Sequence, residues 1–378
     1  MRVVVVGGGV IGLAVAWQAA RRGADVVVVD ERPGRGASWV AGGMLAPVAE
    51  AYEGEEALLR LGLASAARWP LRRRPGRRGR GGPRLLAQRD DGRGPRPGRG
   101  GRAGAPARPA DAAGPRRRAV DVPSGPATRA GAGPHRAGAL WLADDHQVDN
   151  RLLVAGLLTA ADRAGVGFVT QPASRLAAGA VGLADGGSLA ADGVVVATGA
   201  HPVPISTPDG DTVTLPVRPV KGQILRVQAT PGAVCPTHTV RGPGIYVIPR
   251  PHGEIAIGAT SEERGFDTTV TSGAVLELLR DAWELLPGLA ETTFVEAVAG
   301  LRPGTPDNAP LLGPLDPTGD GPGVVVATGH YRNGVLLAPI TADLVVSCLL
   351  DGGPTDDEAA ALLAPCRPDR FTEVAACR

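Results

Sequence analysis

Arg2-Val3-Val4-Val5-Val6-Gly7-Gly8-Gly9-Val10-Ile11-Gly12, continued to Asp25-Val26-Val27-Val28-Val29-Asp30, is the stretch that decides the fold. Each valine run is β-branched on both faces, as a strand buried within a parallel sheet requires. Between them, Val10 to Arg22 reads as a helix that stops at Gly23. Strand, glycine turn, helix and strand follow within about 30 residues, the length of one βαβ unit. The turn carries Gly7-x-Gly9-x-x-Gly12, and Asp30 closes the second strand. In such a turn Gly7 permits the bend, Gly9 admits a pyrophosphate close to the backbone, and Gly12 lets helix and strand pack. The helix start, with Val10 and Ile11, offers free N–H groups to phosphate. Asp30 is placed to accept ribose hydroxyls. The pattern therefore predicts a dinucleotide site.

Patterning beyond this unit extends the architecture. Asn150 to Ala164 and Ser272 to Leu286 read as amphipathic helices. Gly167 to Thr170, Gly193 to Ala197 and Gly323 to Ala327 read as buried strands. Leu183 to Leu189 reads as a hairpin. Leu225 to Val227, Gly244 to Pro249 and Glu254 to Ala259 alternate as antiparallel strands do, and Val335 to Leu350 reads as a last helix. Parallel signals at both ends enclose antiparallel ones. The expectation is an α/β chain whose nucleotide-binding domain is assembled from separated segments, with a β-rich second domain threaded through it.

Three further stretches bear on the cofactor. Gly36 to Pro47, including Ser38, Gly43, Met44 and Leu45, is a small-residue loop that lets backbone pack on a flat ring system. The buried run before Thr198-Gly199 ends in small residues. The run Gly329-His330-Tyr331-Arg332-Asn333-Gly334-Val335-Leu336 sets a glycine turn before a helix N-terminus, which would stabilise negative charge on the pyrimidine edge of a flavin. For substrate, Arg302 in a Gly/Pro-bounded turn is suited to a carboxylate, because its guanidinium fork matches the two oxygens. Tyr246, at the start of a strand, is a candidate hydroxyl donor. His330 is not assigned a proton-transfer role.

These residues, with "AGGMLAP" at 41–47, "PVKGQ" at 219–223, "YVIPR" at 246–250, "GAT" at 258–260, "AGLRPGTPDNAPLLG" at 299–313 and "GHYRNGVLLAP" at 329–339, resemble the FAD-dependent D-amino-acid-oxidase superfamily. Within it they are similar to the glycine oxidases of thiamine biosynthesis. The resemblance covers about 1–70 and 137–365. It implies a Rossmann-like GR2-type FAD-binding domain with an antiparallel-sheet substrate domain. It also implies a reaction, oxidative deamination of glycine and small amino acids with reduction of oxygen to hydrogen peroxide. By the resemblance, Gly7, Gly9, Gly12 and Asp30 hold the ADP half of FAD. Ser38, Gly43, Met44 and Leu45 line pyrophosphate and flavin, and Ala173 stands at a backbone contact to adenine. Arg302 and Tyr246 bind the substrate carboxylate. Arg332, with its neighbours to Leu336, sits at the flavin and pocket edge. Ser261 stands where one bacterial branch has Met. A sarcosine-oxidase-like or D-amino-acid oxidase or dehydrogenase activity is the alternative within the superfamily.

The implied segments are 1–70, 137–203 and 310–365 for the FAD domain, 204–309 for the substrate domain, and 366–378 as a tail. Residues 71–136 match nothing. They hold 18 Arg, 14 Gly, 11 Ala and 10 Pro, with four acids and no lysine, a net charge of +14. The rest of the chain carries −12, so the overall +2 on 378 residues is a cancellation. Three readings fit this window. A basic segment of an impaired flavoprotein binds nucleic acid, against which stands the absence of interleaved aromatics. A linker lies within the substrate domain, too poor in apolar residues to form a core. GC-rich coding sequence is read out of frame, which yields Arg, Gly, Ala and Pro in bulk.

Four cysteines without CxxC spacing suggest neither a disulfide framework nor a metal site, and hence a cytoplasmic protein. No 18-residue apolar run predicts a membrane span. Expected partners are a small amino acid, O2 and the enzymes of thiazole synthesis, with homo-oligomerisation implied by the resemblance.

Overall fold

Val3, Val4 and Val5 have no solvent exposure, because Arg2–Val6 runs through the middle of a six-stranded sheet covered on both faces. The computed structural model describes residues 1–70, 90–92, 117–120, 139–207, 210–316 and 323–371. The sheet order is Leu311–Pro314, Val324–Thr328, Gly193–Val196, Arg2–Val6, Asp25–Val29 and Gly167–Val169. All neighbours are parallel except Leu311–Pro314 against Val324–Thr328. Val4 pairs with Val27 on one side and Val194 on the other, so the two valine runs of the fingerprint are in register. The helices Val10–Arg21, Glu56–Arg68, Asn150–Arg163 and Gly334–Leu350 bury their apolar sides in the core that covers one face. The other face packs on a five-stranded sheet that includes the expected hairpin at Ala180–Leu183 and Ser188–Ala190.

The second large sheet runs Thr293–Gly304, Arg218–Gln228, Glu254–Gly258, Ile245–Pro249 and Thr239–Gly242, and continues through Asp90–Gly92, Ala139–Leu142 and Arg117–Val120. The first five are mutually antiparallel. Helix Ser272–Leu285 packs on one face through Leu278, Ala282 and Leu285. The opposite face turns toward the nucleotide-type domain, where Ile224, Ile248 and Ala256 meet Val40 and Met44. The chain is thus α/β, a Rossmann-like parallel sheet joined to an antiparallel one.

Three local features depart from the sequence reading. Arg302 lies within the 12-residue strand Thr293–Gly304, not in a turn. Its flanking Gly300 and Pro303 signal a break, but cross-strand pairing with Arg218–Gln228 overrides them. Helix Glu56–Arg68 is an element the periodicity did not suggest. The Ala139–Leu142 strand pairs in the antiparallel sheet. The three readings of 71–136 concern residues that lie outside those described, apart from the backbone of two short strands. Among the described residues no helix is long and apolar enough to cross a membrane, and no group of three or more His, Cys, Asp or Glu is arranged to hold a metal.

Candidate functional site

The glycine turn is enforced by packing. Gly7 has φ +109, and a Cβ on it would stand 2.2 Å from the Ala197 carbonyl oxygen. A Cβ on Gly12 would stand 1.8 Å from the Gly7 carbonyl. Helix Val10–Arg21 begins after Gly9 with no side-chain cap of its own; instead Ser38 Oγ accepts from Val10 N at 2.9 Å. Ser38 reaches it across 28 positions, so the small-residue loop folds back over the helix start. Asp30 accepts from Gly8 N at 2.6 Å and from Arg32 N at 2.7 Å, which fixes its carboxylate at the C-terminal end of the parallel strands beside the turn. Ligands bind such sheets at that end. A glycine cradle, a helix start and a fixed carboxylate are what a dinucleotide requires.

The small-residue loop is held from the antiparallel sheet and from the segment that leads into helix Asn150–Arg163. Arg250 donates to Val148 O at 2.8 Å and to Gly42 O at 2.7 Å, and also bonds Gln147. Asn150 Nδ2 donates to Ser38 O and Trp39 O at 2.8 and 2.9 Å. Met44 and Leu45 pair with Gln147 and His146. Burial lowers the Arg250 pKa to about 10, so it stays a cation. Sequence reasoning missed Arg250 and Asn150. Their partners lie about 100 or 200 positions away, and no local spacing records them.

Thr198 and Gly199 follow the C-terminal end of Gly193–Val196, the strand beside Arg2–Val6, and Gly199 O accepts from Thr328 Oγ1 at 2.9 Å. His330 is buried, and its Nε2 lies 2.9 Å from Thr341 Oγ1. Burial lowers its pKa to about 3, so the imidazole is neutral. Tyr331 N donates to Pro303 O at 2.8 Å. This bond ties the glycine turn before helix Gly334–Leu350 to the end of the Arg302 strand. Asn333 precedes that helix without capping it by its side chain, and Val335 and Leu336 are buried in the core. Leu336 O accepts from Ser65 and from Trp69, which anchors helix Glu56–Arg68 there. Ala173 begins a strand of the five-stranded sheet and packs against the cluster that holds Val6 and Val29, the residues before the glycine turn and before Asp30.

Tyr246 and Arg302 meet on the sheet face that packs on Val40 and Met44. Two glycines clear the space. A Cβ on Gly222 would lie 2.4 Å from Arg302 Nη1, and one on Gly258 would lie 2.6 Å from the Tyr246 hydroxyl. Desolvation raises the Tyr246 pKa, and the neighbouring Arg302 cation opposes that rise, so the phenol keeps its proton. Arg302 Nη1 donates to Thr260 O at 3.0 Å. Arg332 differs: it pairs with Glu55 at 2.8 Å and stacks over Tyr52 at 4.0 Å. Arg241, the cross-strand neighbour of Tyr246, pairs with Glu50 at 3.2 Å. Arg302 donates to backbone carbonyls and has no carboxylate on it among the described residues. It is free to take an anion. Ser261 is exposed and forms no apolar wall.

The sequence profile of the DAO family, FAD dependent oxidoreductases, matches residues 2–347. The glycine oxidase of Pseudomonas putida is 35% identical over 383 residues, with 95% of this chain and 97% of that protein covered. The bifunctional protein ThiO/ThiG of Nostoc is 33% identical over 375 residues, covering 92% of this chain. The chain spans about half, 52%, of that relative's length, and 36% of its Synechocystis counterpart's. The crystal structure of glycine oxidase from Geobacillus kaustophilus superposes with a TM-score of 0.77 at 29% identity, over 98% of this chain and 99% of that one. Fold, nucleotide cradle and relatives agree, and the chain belongs to the family of FAD-dependent oxidoreductases.

Proposed function

We propose that the protein oxidises the amine of a small amino acid, glycine foremost, to an imine that water releases as ammonia and an oxoacid. The observation that carries this reading is Arg302, a cation without a carboxylate partner among the described residues. It is paired with a protonated Tyr246, and Pro303, next on its strand, is bonded to Tyr331 of the turn that holds His330. The carboxylate of an amino acid fits that pair, with two charge-assisted bonds from the guanidinium and one from the phenol. Anchoring there directs Cα toward the cleft, and position is the main contribution the chain makes to the reaction. FAD, when bound, supplies the acceptor for the hydride leaving Cα, and O2 takes the two electrons onward as hydrogen peroxide.

Gly7, Gly9, Val10, Ile11, Gly12, Asp30 and Ser38 would hold its ADP half, and Gly43, Met44, Leu45, Thr198 and Gly199 its middle. Ala173 would offer the adenine a backbone contact. His330, Asn333, Gly334, Val335 and Leu336 would frame the ring system. Neutral His330, bonded to Thr341, shapes the wall and moves no proton. Arg332, neutralised by Glu55, holds the loop edge and leaves carboxylate binding to Arg302. The glycine oxidase relatives support glycine as substrate, and the relatives named ThiO/ThiG support a partner in thiazole synthesis that consumes the imine. A cytoplasmic, homo-oligomeric enzyme fits this reading.

Peroxide production by the FAD-loaded protein on glycine, sarcosine and D-alanine tests it. The reading predicts the highest kcat/KM on glycine. A preference for sarcosine or D-alanine assigns the chain to another specificity, and no peroxide with any of the three refutes the reading.

A further inference from the structure

Lys221 is the single lysine of the chain, and its side chain is almost wholly buried. It sits on Arg218–Gln228, the second strand of the antiparallel sheet, next to Gly222. Side chains alternate along a strand. Since Gly222 faces Arg302, Lys221 and Gln223 face away from it, toward the segment 260–271 that leads into helix Ser272–Leu285.

These two residues stitch that segment to the sheet. Lys221 Nζ donates to Asp267 Oδ2 at 2.7 Å. The Lys221 backbone exchanges two 2.9 Å hydrogen bonds with Glu262. Gln223 N donates to Thr260 Oγ1 at 2.9 Å, and Gln223 Nε2 donates to Glu262 Oε1 at 2.8 Å. Thr271 N donates to Gln223 Oε1 at 2.9 Å. Asp267 also accepts from Thr269 N and Oγ1, and its carboxyl is held well below the usual carboxylate range by the Lys221 bond first and Thr269 second. The stitched segment then acts on the front of the sheet: the Thr260 carbonyl accepts from Arg302 Nη1 at 3.0 Å.

A buried ammonium costs desolvation that one carboxylate, itself partly exposed, repays poorly. An apolar residue of equal volume is commonly as stable. Stability alone is therefore a weak reason for a lysine here, whereas fixing the position of Thr260 is a specific one. We propose that Lys221 is a positioning residue: through Asp267 it locks the 260–271 segment so that the Thr260 carbonyl aims the Arg302 guanidinium at the substrate carboxylate. The inference rests on the reading of Arg302 as carboxylate anchor.

The test uses FAD-loaded wild type, K221M, K221R and D267N. Acetate, a carboxylate without an oxidisable amine, is titrated against the flavin absorbance, and steady-state kinetics are run with glycine. In K221M and D267N the acetate Kd and the glycine KM rise together by about 3- to 30-fold, the size expected for one member of a coupled network. Their kcat stays within about twofold, since only binding position is lost, and K221R recovers part of the affinity. Folded K221M with wild-type Kd and KM overturns the proposal. If K221M does not fold, D267N, altered at a partly exposed residue, decides in the same way. A wild type whose acetate affinity does not differ from that of R302A overturns the anchor reading itself, and the inference with it.

Discussion

Arg302, Gly222 and His330 carry the sharpest expectations at the level of single residues. A lysine at Arg302 keeps the charge and loses the fork, so it cannot bond both carboxylate oxygens in plane. R302K is expected to raise the glycine KM, and R302A to lower kcat/KM by about 100-fold or more, about 3 kcal/mol. Steady-state kinetics check both. Gly222→Ala places a methyl against the guanidinium, the far end of a flexible side chain that can swing aside. The expected outcome is a raised KM with little change in thermal midpoint. For His330 the sign follows from burial. Its folded pKa, about 3, lies below the ordinary 6.5. The native state therefore binds fewer protons than the unfolded chain between those values. Its contribution to stability is complete above pH about 6.5 and is lost at about 1.4 kcal/mol per pH unit below that, down to about pH 3. H330N, which keeps a polar group for Thr341, is expected to flatten this branch of the stability curve, as urea unfolding across pH 4 to 7 would read.

At the level of elements, the glycine turn and the two sheets were legible to different degrees. Arg2–Val6, the turn, the helix and Asp25–Val29 follow from patterning alone, because a doubly buried strand must be apolar on both faces and a pyrophosphate turn needs its glycines. Gly12→Ala is expected to abolish FAD retention, since its Cβ would overlap the Gly7 carbonyl, a backbone atom that cannot step aside; flavin absorbance after gel filtration reads this. The Arg302 strand was less legible. Gly300 and Pro303 mark a break locally, while the pairing that straightens it comes from residues some 80 positions earlier. Helix Glu56–Arg68 is fixed by Ser65 and Trp69 on Leu336, a contact no window around it contains.

For the whole molecule, the joint between its two large sheets has a buried polar part beside the apolar contact of Ile224, Ile248 and Ala256 with Val40 and Met44. Arg250 bonds Gly42, Val148 and Gln147, while fully buried Arg226 reaches Glu254, Glu296 and Asn150. Removing one member leaves buried partners unsatisfied. Arg250→Ala is expected to cost about 3–5 kcal/mol and to loosen FAD by freeing the loop at Gly42, which urea unfolding and flavin retention would show together. Arg250 closes the quoted YVIPR stretch, but its bonds across the joint leave no trace there, because contacts between residues about 100 or 200 positions apart have no sequence period. The net charge of +2 likewise conceals its origin in two unequal parts. The central claim is that one chain unites a FAD cradle with a carboxylate anchor for glycine. Anaerobic addition of glycine to the FAD-loaded protein tests both at once. The account predicts bleaching of the oxidised flavin band in wild type and a strongly slowed response in R302A; a flavin band unmoved by glycine in folded, FAD-loaded wild type would contradict it.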